Sequence, residues 1–314
     1  MPLDSDGYFT SVKGTVNTWE CDDIGHMNVQ FYTARASDAA FFVRAELGLT
    51  PSVIRNGNRT MIALEEHYRY QRELLAGDMY TMRTRLIEMR EKTLVVLHEL
   101  WNAASNELAA TIVAVSASFD LDTRRLVPWS DETMARGRAL IGPLPEHAEP
   151  RSVKRETRLP EISLADTDSN NFIESYRGAV GPQHCDDFGH MNTQFYISRY
   201  SDGSGHLWQG LGLDRQTLIA SRRGSVVLEQ RLNFLREVRS GDILIIKSAM
   251  TEVAAKTVRI CHFMFNAETG ALAATSEVVA ILLDLDARRA VAFADDERTR
   301  LEAKLCVIGT ATRA

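Results

Sequence analysis

Residues 21–28 read CDDIGHMN, and residues 185–192 read CDDFGHMN. The offset of 164 residues continues without a gap, because 13 of the 18 positions in 21–38 are identical to their partners in 185–202. Self-similarity at a fixed offset is the signature of a duplicated domain. The sequence therefore predicts one domain written twice. The same offset relates Gly48 to Gly212, Glu65 to Glu229 and His98 to His262.

The composition is that of a globular protein, with 314 residues, 45% hydrophobic and 25% charged. This length suits two domains that each bury a core. A net charge of −6 argues against a general surface for nucleic acid or anionic membranes. The first residues are acidic rather than apolar, no apolar run approaches a membrane span, and four cysteines do not make a disulfide framework. We therefore expect a cytoplasmic protein without nucleic-acid or membrane partners.

One long helix is predicted in each repeat, directly after the repeated motif. In the first repeat it spans 30–47, with Asn28 as N-cap and Gly48 as the left-handed residue that ends it. In the second repeat Gly203 and Gly205 weaken the helix, unless close packing against a sheet requires small residues. The apolar residues available for one helix face are Phe31, Ala34, Ala39, Phe42, Val43 and Leu47.

The rest of each repeat has the pattern of β-strands. A short strand at 11–19 precedes the motif, and four strands follow the helix at 60–70, 78–88, 93–102 and 108–121. Consecutive strands separated by turn residues favour antiparallel pairing. The fold class is therefore α+β: two tandem domains, each a curled antiparallel five-stranded sheet wrapped around one long helix.

The domain boundaries follow from the repeat and from the proline-rich segment between the copies. We predict repeat 1 at 10–127, a linker at 128–173, repeat 2 at 174–292 and a C-terminal tail at 293–314.

The repeated motif places reactive side chains beside a helix N-terminus. Asp22, His26 and Asn28 fall in the loop and the first helical turn. Free N–H groups at a helix start can hold a developing oxyanion, and a nearby acid can activate water or attack a carbonyl. These parts together indicate acyl transfer or hydrolysis.

The run D-D-x-G-H-M-N-x-Q-F-Y, followed by a helix and four strands, resembles the hotdog-fold thioesterases of the 4-hydroxybenzoyl-CoA thioesterase-like family. Members often show D-x-x-G-H-[MV]-N ahead of the central helix, and both copies match that pattern. The motif is also similar to the thioesterase part of carnitine-degradation enzymes, which act on betainyl-CoA. The resemblance implies an acyl-CoA thioesterase that releases a carboxylic acid and CoA.

The resemblance also implies roles for individual residues. The carboxylates of Asp22 and Asp186 would act as nucleophile or general base, and amides near Val29 and Thr193 would polarise the thioester carbonyl. No redox or metal cofactor is implied, since CoA enters as part of the substrate, although an acyl-carrier protein stays open as the carrier. In the family two hotdog domains pack side by side, so this chain would carry its own dimer and associate further. The residues that would orient the acid, the water or the acyl group are His26, His190, Asn28 and Asn192.

Other acids of the repeats have competing interpretations. Asp22 is also a common residue type in turns. Asp38 and Asp202 lie mid-helix and are the alternative catalytic acids. Glu65 and Glu229 begin the second strand and are candidates for substrate binding, with a sheet-edge salt bridge as the other interpretation.

The remaining candidates are aromatic or sulfur-containing. Tyr32 and Tyr196 are candidates for substrate binding, against a plain core role. Cys21 and Cys185 precede the acid and are interpreted as small buried residues rather than nucleophiles. Differences between the copies, Ile24 against Phe188 and Tyr68 against Leu232, would give one site a different pocket.

Three further functions are weighed against a thioesterase. A hotdog hydratase or dehydratase would act on hydroxyacyl thioesters, but its motif is not found in the sequence. A non-catalytic acyl-CoA-binding protein could lose its acid, whereas both copies keep it. A metal-dependent hydrolase would be sensitive to chelators.

Overall fold

Two units follow one another along the chain, Met1–Glu149 and Pro150–Ala314. Among the residues that the structure describes, no helix is both long and apolar enough to cross a membrane. The computed structural model describes residues 1–154, 157–168, 171–309 and 311–312.

The first unit contains the predicted long helix and five-stranded sheet. Helix α1 starts one residue earlier than predicted, and the strand β4 has the predicted bounds. The short helix α2, which begins with Thr50 as N-cap and Pro51 in its first turn, was not predicted. The elements are β1 (Phe9–Thr15), α1 (Val29–Glu46), α2 (Pro51–Gly57), β2 (Arg59–Tyr70), β3 (Met79–Met89), β4 (Thr93–Asn102), β5 (Leu108–Asp120), β6 (Arg125–Leu126) and α3 (Asp131–Arg138).

The sheet of the first unit is antiparallel in the order β1-β3-β4-β5-β2. Strand β2 therefore lies beside β5 rather than beside β3, its neighbour in sequence. Helix α1 contacts β1, β3 and β4 on one face of this sheet. This is the hotdog arrangement, and the predicted fold is confirmed.

The buried face of α1 differs from the predicted one. Thr33 and Ala36 are buried, whereas Phe42 is 42% exposed. Phe41 is also exposed and lies under the Arg44 guanidinium, 4.1 Å from its ring centroid. The prediction was wrong for Phe42 because the small residues Ala36 and Ala39, rather than this large aromatic side chain, face the sheet. Four buried residues of the helix are spaced three or four apart, Tyr32, Ala36, Ala39 and Val43, and Thr33 is buried three residues before Ala36.

The segment after β5 belongs to the first unit. Trp129 and Met134 pack into the cluster formed by α1 and the inner face of the sheet. On the outer face Ala148 packs against Leu97 and its neighbours. Part of the segment 128–173, interpreted above as a linker, thus contributes to a core.

The second unit repeats this arrangement, with the order β9-β12-β11-β10-β8 in its antiparallel sheet. Its inner face packs on the helices and its outer face on Leu159 and neighbouring residues. The elements are β7 (Thr157–Arg158), β8 (Ile173–Ala179), α4 (Thr193–Asp202), α5 (Ser204–Gly210), α6 (Arg215–Ala220), β9 (Arg223–Phe234), β10 (Ile243–Val253), β11 (Thr257–Asn266), β12 (Leu272–Asp284), β13 (Arg289–Val291), α7 (Asp295–Glu302) and β14 (Ala311–Thr312).

The long helix of the second unit is interrupted at Gly203, where α4 ends and α5 begins. A Cβ at Gly203 would lie 2.9 Å from the Ser175 carbonyl oxygen on β8, which is closer than a real side chain allows. At Gly205 a Cβ would meet nothing within 4 Å. Close packing therefore requires the first of these glycines and not the second.

Candidate active site

The motif loop of the first unit is a tight turn closed around Asp22. The Asp22 amide donates to the His26 carbonyl oxygen at 2.8 Å, and the Gly25 amide donates to the Asp22 carbonyl oxygen at 3.1 Å. Gly25 has φ +89°, a left-handed conformation that a glycine adopts without strain. The Ile24 amide donates to Oδ1 of Asp22 at 3.0 Å. The turn thus fixes one carboxylate oxygen and leaves the other for a further partner.

That partner is His26, whose Nδ1 lies 3.0 Å from Oδ2 of Asp22. Both side chains are largely buried, with 12% and 19% exposure. Burial opposes protonation of His26, but the hydrogen bond and charge of Asp22 outweigh it, so the pKa of His26 is raised. Glu73 is 3.9 Å from Nε2 on the other side of the ring. The histidine is therefore held between two acids and carries a proton more readily than a free imidazole.

The helix N-terminus lies directly beside this pair. Oδ1 of Asn28 accepts from the Gln30 amide at 3.0 Å, so Asn28 is the predicted N-cap. The loop is fixed to β-structure because the Met27 amide donates to the Leu74 carbonyl oxygen at 2.7 Å. Val29 is the first helical residue, and its amide is one of those that an α-helix leaves without an intrahelical acceptor. A carboxylate, an imidazole and a helix start are thus brought together.

The second unit builds the same loop with different side-chain contacts. Asp186 accepts through Oδ1 from the Phe188 amide at 2.9 Å and from the His190 amide at 3.1 Å. Nε2 of His190 lies 3.2 Å from Glu237 and 3.2 Å from Nη2 of Arg239. Asp186 is exposed, whereas Asp22 is mostly buried. As predicted, Asn192 caps the helix that Thr193 begins, through the Gln194 amide at 3.2 Å.

Two differences in charge distinguish the surroundings of the two loops. Arg35 pairs with Glu20 in the first unit, whereas the equivalent Arg199 lies 3.0 Å from His184. Leu75 forms the β-bridge to His26, and Arg239 takes its place beside His190. The loop of the second unit is therefore the more positive one.

Tyr32 and Tyr196 are buried beside their loops. The Tyr32 ring packs edge-on against Tyr70 at 5.2 Å, and the Tyr196 ring packs edge-on against Phe234 at 5.0 Å. Burial raises the pKa of Tyr32, and the charges of Glu73 and Asp22 add to the effect. Tyr32 thus connects the loop to the inner face of β2.

Glu65 and Glu229 are buried at β-bulges of β2 and β9. The Glu229 carboxylate accepts from the Arg151 amide at 2.9 Å and from the Ser152 amide at 2.7 Å. This contact fixes the segment that enters the second unit. The substrate-binding role of the two glutamates stays a prediction.

Asp38 and Asp202 lie on the helix surface. Their side chains are 55% and 53% exposed and pair with Arg35 and Arg199 at 3.4 Å and 3.3 Å. Exposed pairs at this spacing contribute little stability.

Cys21 is half-buried, not buried as predicted. Burial and the neighbouring Asp22 raise the pKa of its thiol, which disfavours a nucleophilic thiolate. Nδ1 of the buried His98 is hydrogen-bonded to the Thr84 hydroxyl at 2.8 Å. Burial lowers the pKa of His98 to about 3. Both observations favour structural roles.

A buried polar cluster in the first unit was not predicted. Glu66 is 6% exposed, and its carboxylate accepts a hydrogen bond from the Tyr68 hydroxyl. The Tyr68 ring stacks with Tyr70 at 6.0 Å and an interplanar angle of 8°. Burial raises the pKa of Glu66 to about 7, although the bond from Tyr68 opposes the shift. We call Thr33, Glu66, Tyr68 and Tyr70 the inner polar cluster.

The β-bulge explains why this cluster was missed. Simple alternation from Met61, which packs with α1, would place Glu65 on the inner face of β2. The register shift between Ala63 and Glu65 reverses the alternation, so that Glu66 and the residues two and four positions later face inward. The one signal in the sequence was the difference between Tyr68 and its counterpart in the second repeat.

The chain is similar to thioesterases in both sequence and structure. The family model of the thioesterase-like superfamily matches residues 16–137 and 180–301. A betainyl-CoA thioesterase from Pseudomonas aeruginosa is 30% identical over 131 residues, which is 42% of this chain and 82% of that protein. An acyl-ACP thioesterase from Bacteroides thetaiotaomicron has a TM-score of 0.65 at 13% identity, over 87% of this chain and 98% of that one. The 12:0-ACP thioesterase from Umbellularia californica also has a TM-score of 0.65 at 13% identity, over 88% and 94%.

Proposed function

We propose that this chain, which belongs to the thioesterase-like superfamily and is a thioester hydrolase, cleaves acyl-CoA at the loops of Asp22 and Asp186. The observation that carries the proposal is the loop geometry. In each unit an aspartate, a histidine and a helix N-terminus lie within one tight turn.

The reaction adds water across the C–S bond. An Asp22 carboxylate acting as base takes a proton from water, whose oxygen attacks the thioester carbonyl; acting as nucleophile, the carboxylate attacks that carbonyl itself. The N-terminal amides of α1, at Val29, would stabilise the oxyanion, and collapse of the tetrahedral species expels the CoA thiolate. In the base route the proton taken by Asp22 passes to the CoA thiolate. In the nucleophile route water hydrolyses the mixed anhydride on Asp22 and supplies that proton, so both routes give a carboxylate and CoA-SH.

His26 would position the acid in the first unit. Its contact at 3.0 Å holds Oδ2 of Asp22, and its raised pKa favours a cationic ring that attracts the carboxylate and fixes its orientation. In the second unit two backbone amides hold Asp186. We propose that the two sites orient the same acid by different partners.

The carrier proposed is CoA rather than an acyl-carrier protein, because the relative that matches at 30% identity is named for a CoA thioester. The betainyl group of that relative's substrate carries a quaternary ammonium. No redox or metal cofactor enters the proposed chemistry, since CoA is part of substrate and product.

The test is thiol release from acyl-CoAs with short, aromatic, charged and long acyl groups. We expect each of Asp22→Asn and Asp186→Asn to retain part of the activity, and the double variant to lose at least about 100-fold. Asp23→Asn, which changes the neighbouring exposed acid, is the matched control.

Three outcomes would contradict the proposal. Undiminished hydrolysis by the double variant would move the chemistry to other acids, with Asp38 and Asp202 tested next. Tight binding of acyl-CoA without any thiol release would favour the acyl-CoA-binding alternative, and addition or loss of water at the acyl chain would favour a hydratase.

A further inference from the structure

The inner polar cluster is present in one unit only. At the four equivalent positions the second unit has Ile197, Gln230, Leu232 and Phe234. Each replacement removes a charge or a hydroxyl from the space between helix and sheet. We infer that Glu66 and the tyrosines beside it bind a cationic end of the acyl group, and that selectivity for such substrates belongs to the first unit.

The carboxylate of Glu66 is the first reason. It is buried, its hydrogen-bond donor is the neutral Tyr68, and no basic side chain among the described residues pairs with it. A buried carboxylate without a cation destabilises the folded protein. A cationic ligand would supply the missing charge.

The second reason is the arrangement of the aromatic rings. Tyr32, Tyr68 and Tyr70 form a continuous series, with contacts of 5.2 Å and 6.0 Å between successive ring centroids. Ring faces attract cations, so a series of tyrosines beside a carboxylate suits an alkylated ammonium group. The hydroxyl oxygen of Tyr70 is buried and has no hydrogen-bond partner among the described residues, so a polar contact is still open there.

The third reason is the position of Tyr32 between the motif loop and the inner polar cluster. Tyr32 lies in the first turn of α1, where the charge of Asp22 contributes to its raised pKa. Its ring contacts Tyr70 of β2. A path of aromatic side chains thus leads from the catalytic loop to Glu66. An acyl group whose carbonyl lies at the loop would extend along this path.

The second unit shows that the fold does not need the cluster. Gln230, at the position of Glu66, donates from Nε2 to Ser276 at 2.9 Å and carries no charge. The same sheet and helix form around it. A purely structural role for the acid therefore does not explain why the first unit has it.

The experiment rests on the proposed function and isolates the site of the first unit. In the Asp186→Asn background, kcat/KM is measured for betainyl-CoA against its neutral isostere 3,3-dimethylbutanoyl-CoA, and for 4-(trimethylammonio)butanoyl-CoA against 5,5-dimethylhexanoyl-CoA. We expect a preference for at least one cation over its isostere that falls at least about tenfold with Glu66→Gln, which copies the residue of the second unit. Tyr68→Leu combined with Tyr70→Phe should reduce the same ratio, and Glu88→Gln, at an exposed ion pair, should not.

Failure of the inference is distinguishable from failure of the proposed function. Hydrolysis of both members of each pair with equal efficiency, or a ratio unchanged by Glu66→Gln, would overturn the inference and leave the thioesterase intact. If no thioester is cleaved, calorimetry with non-hydrolysable thioether analogues of the same pairs decides the question. Tighter binding of the trimethylammonium analogue that is lost in Glu66→Gln supports the site, and equal binding refutes it.

Discussion

Replacing Glu66 by Gln should stabilise the first unit, and the gain should grow with pH. The pKa of Glu66 is raised from 4.5 to about 7 by burial. Between these values the folded chain holds a proton that the unfolded chain has released, so the free energy of unfolding falls as pH rises and is constant above the folded pKa. A glutamine does not titrate, so it does not cause this decrease in the free energy of unfolding.

The magnitude follows from the two pKa values. Linkage gives a loss for the wild type of about 1 kcal/mol at pH 5 and about 3 kcal/mol at pH 8. The carbonyl of a glutamine can still accept the hydrogen bond from the Tyr68 hydroxyl. The advantage of Glu66→Gln over the wild type should therefore increase by about 2 kcal/mol between pH 5 and pH 8.

The assay is urea unfolding of the full chain at both pH values, followed by tryptophan fluorescence. Trp19, Trp101 and Trp129 lie in the first unit, so most of the signal reports on it. The mirror variant Gln230→Glu should destabilise the second unit, more at pH 8 than at pH 5. An advantage of Glu66→Gln that is equal at the two pH values would refute the argument that burial raises this pKa.

Three further predictions follow from other contacts. Asp22→Asn should lower the pKa of His26 below that of a free imidazole, because the charge of Asp22 then no longer offsets the effect of burial. An NMR titration that shows an unchanged pKa would contradict this. Gly203→Ala should destabilise the chain by about 1–3 kcal/mol, whereas Gly205→Ala should stabilise it by up to about 1 kcal/mol, and thermal unfolding that shows the same sign for both would be inconsistent with the packing described. His98, with a pKa of about 3 against 6.5 when free, contributes stability that is present above pH 6.5 and lost as pH falls toward 3. The free energy of unfolding should therefore fall less steeply with decreasing pH in His98→Gln than in the wild type, and equal slopes in acid titrations of the two proteins would contradict this.

The duplication, the element order and the motif loop were predictable because they depend on local patterns. The strand Thr93–Asn102 has the predicted bounds, since β-branched and apolar residues fill it and turn residues flank it. Asn28 and Gly48 were recognised as helix ends because caps have strict residue preferences.

The predictions that were wrong or missing concerned features that depend on tertiary contacts. The inward orientation of Glu66 requires the bulge in β2, and a single sequence gives no sign of an extra residue in a strand. The exposure of Phe42 and the burial of Thr33 reverse the usual preference of these residue types, so hydrophobicity pointed to the wrong helix face. The partners of Asp186 and His190 also differ from those in the first unit although the motif letters are the same.

The inner polar cluster and the uncharged residues that replace it in the second unit occur in one polypeptide. In a chain with a single repeat, one substitution changes every copy of these positions, whereas here the positions of one unit can diverge while those of the other keep their residues. Two specificities are then synthesised together in a fixed one-to-one ratio, whatever the level of expression. A cell that makes this protein would carry both halves of such a pair by translating one message.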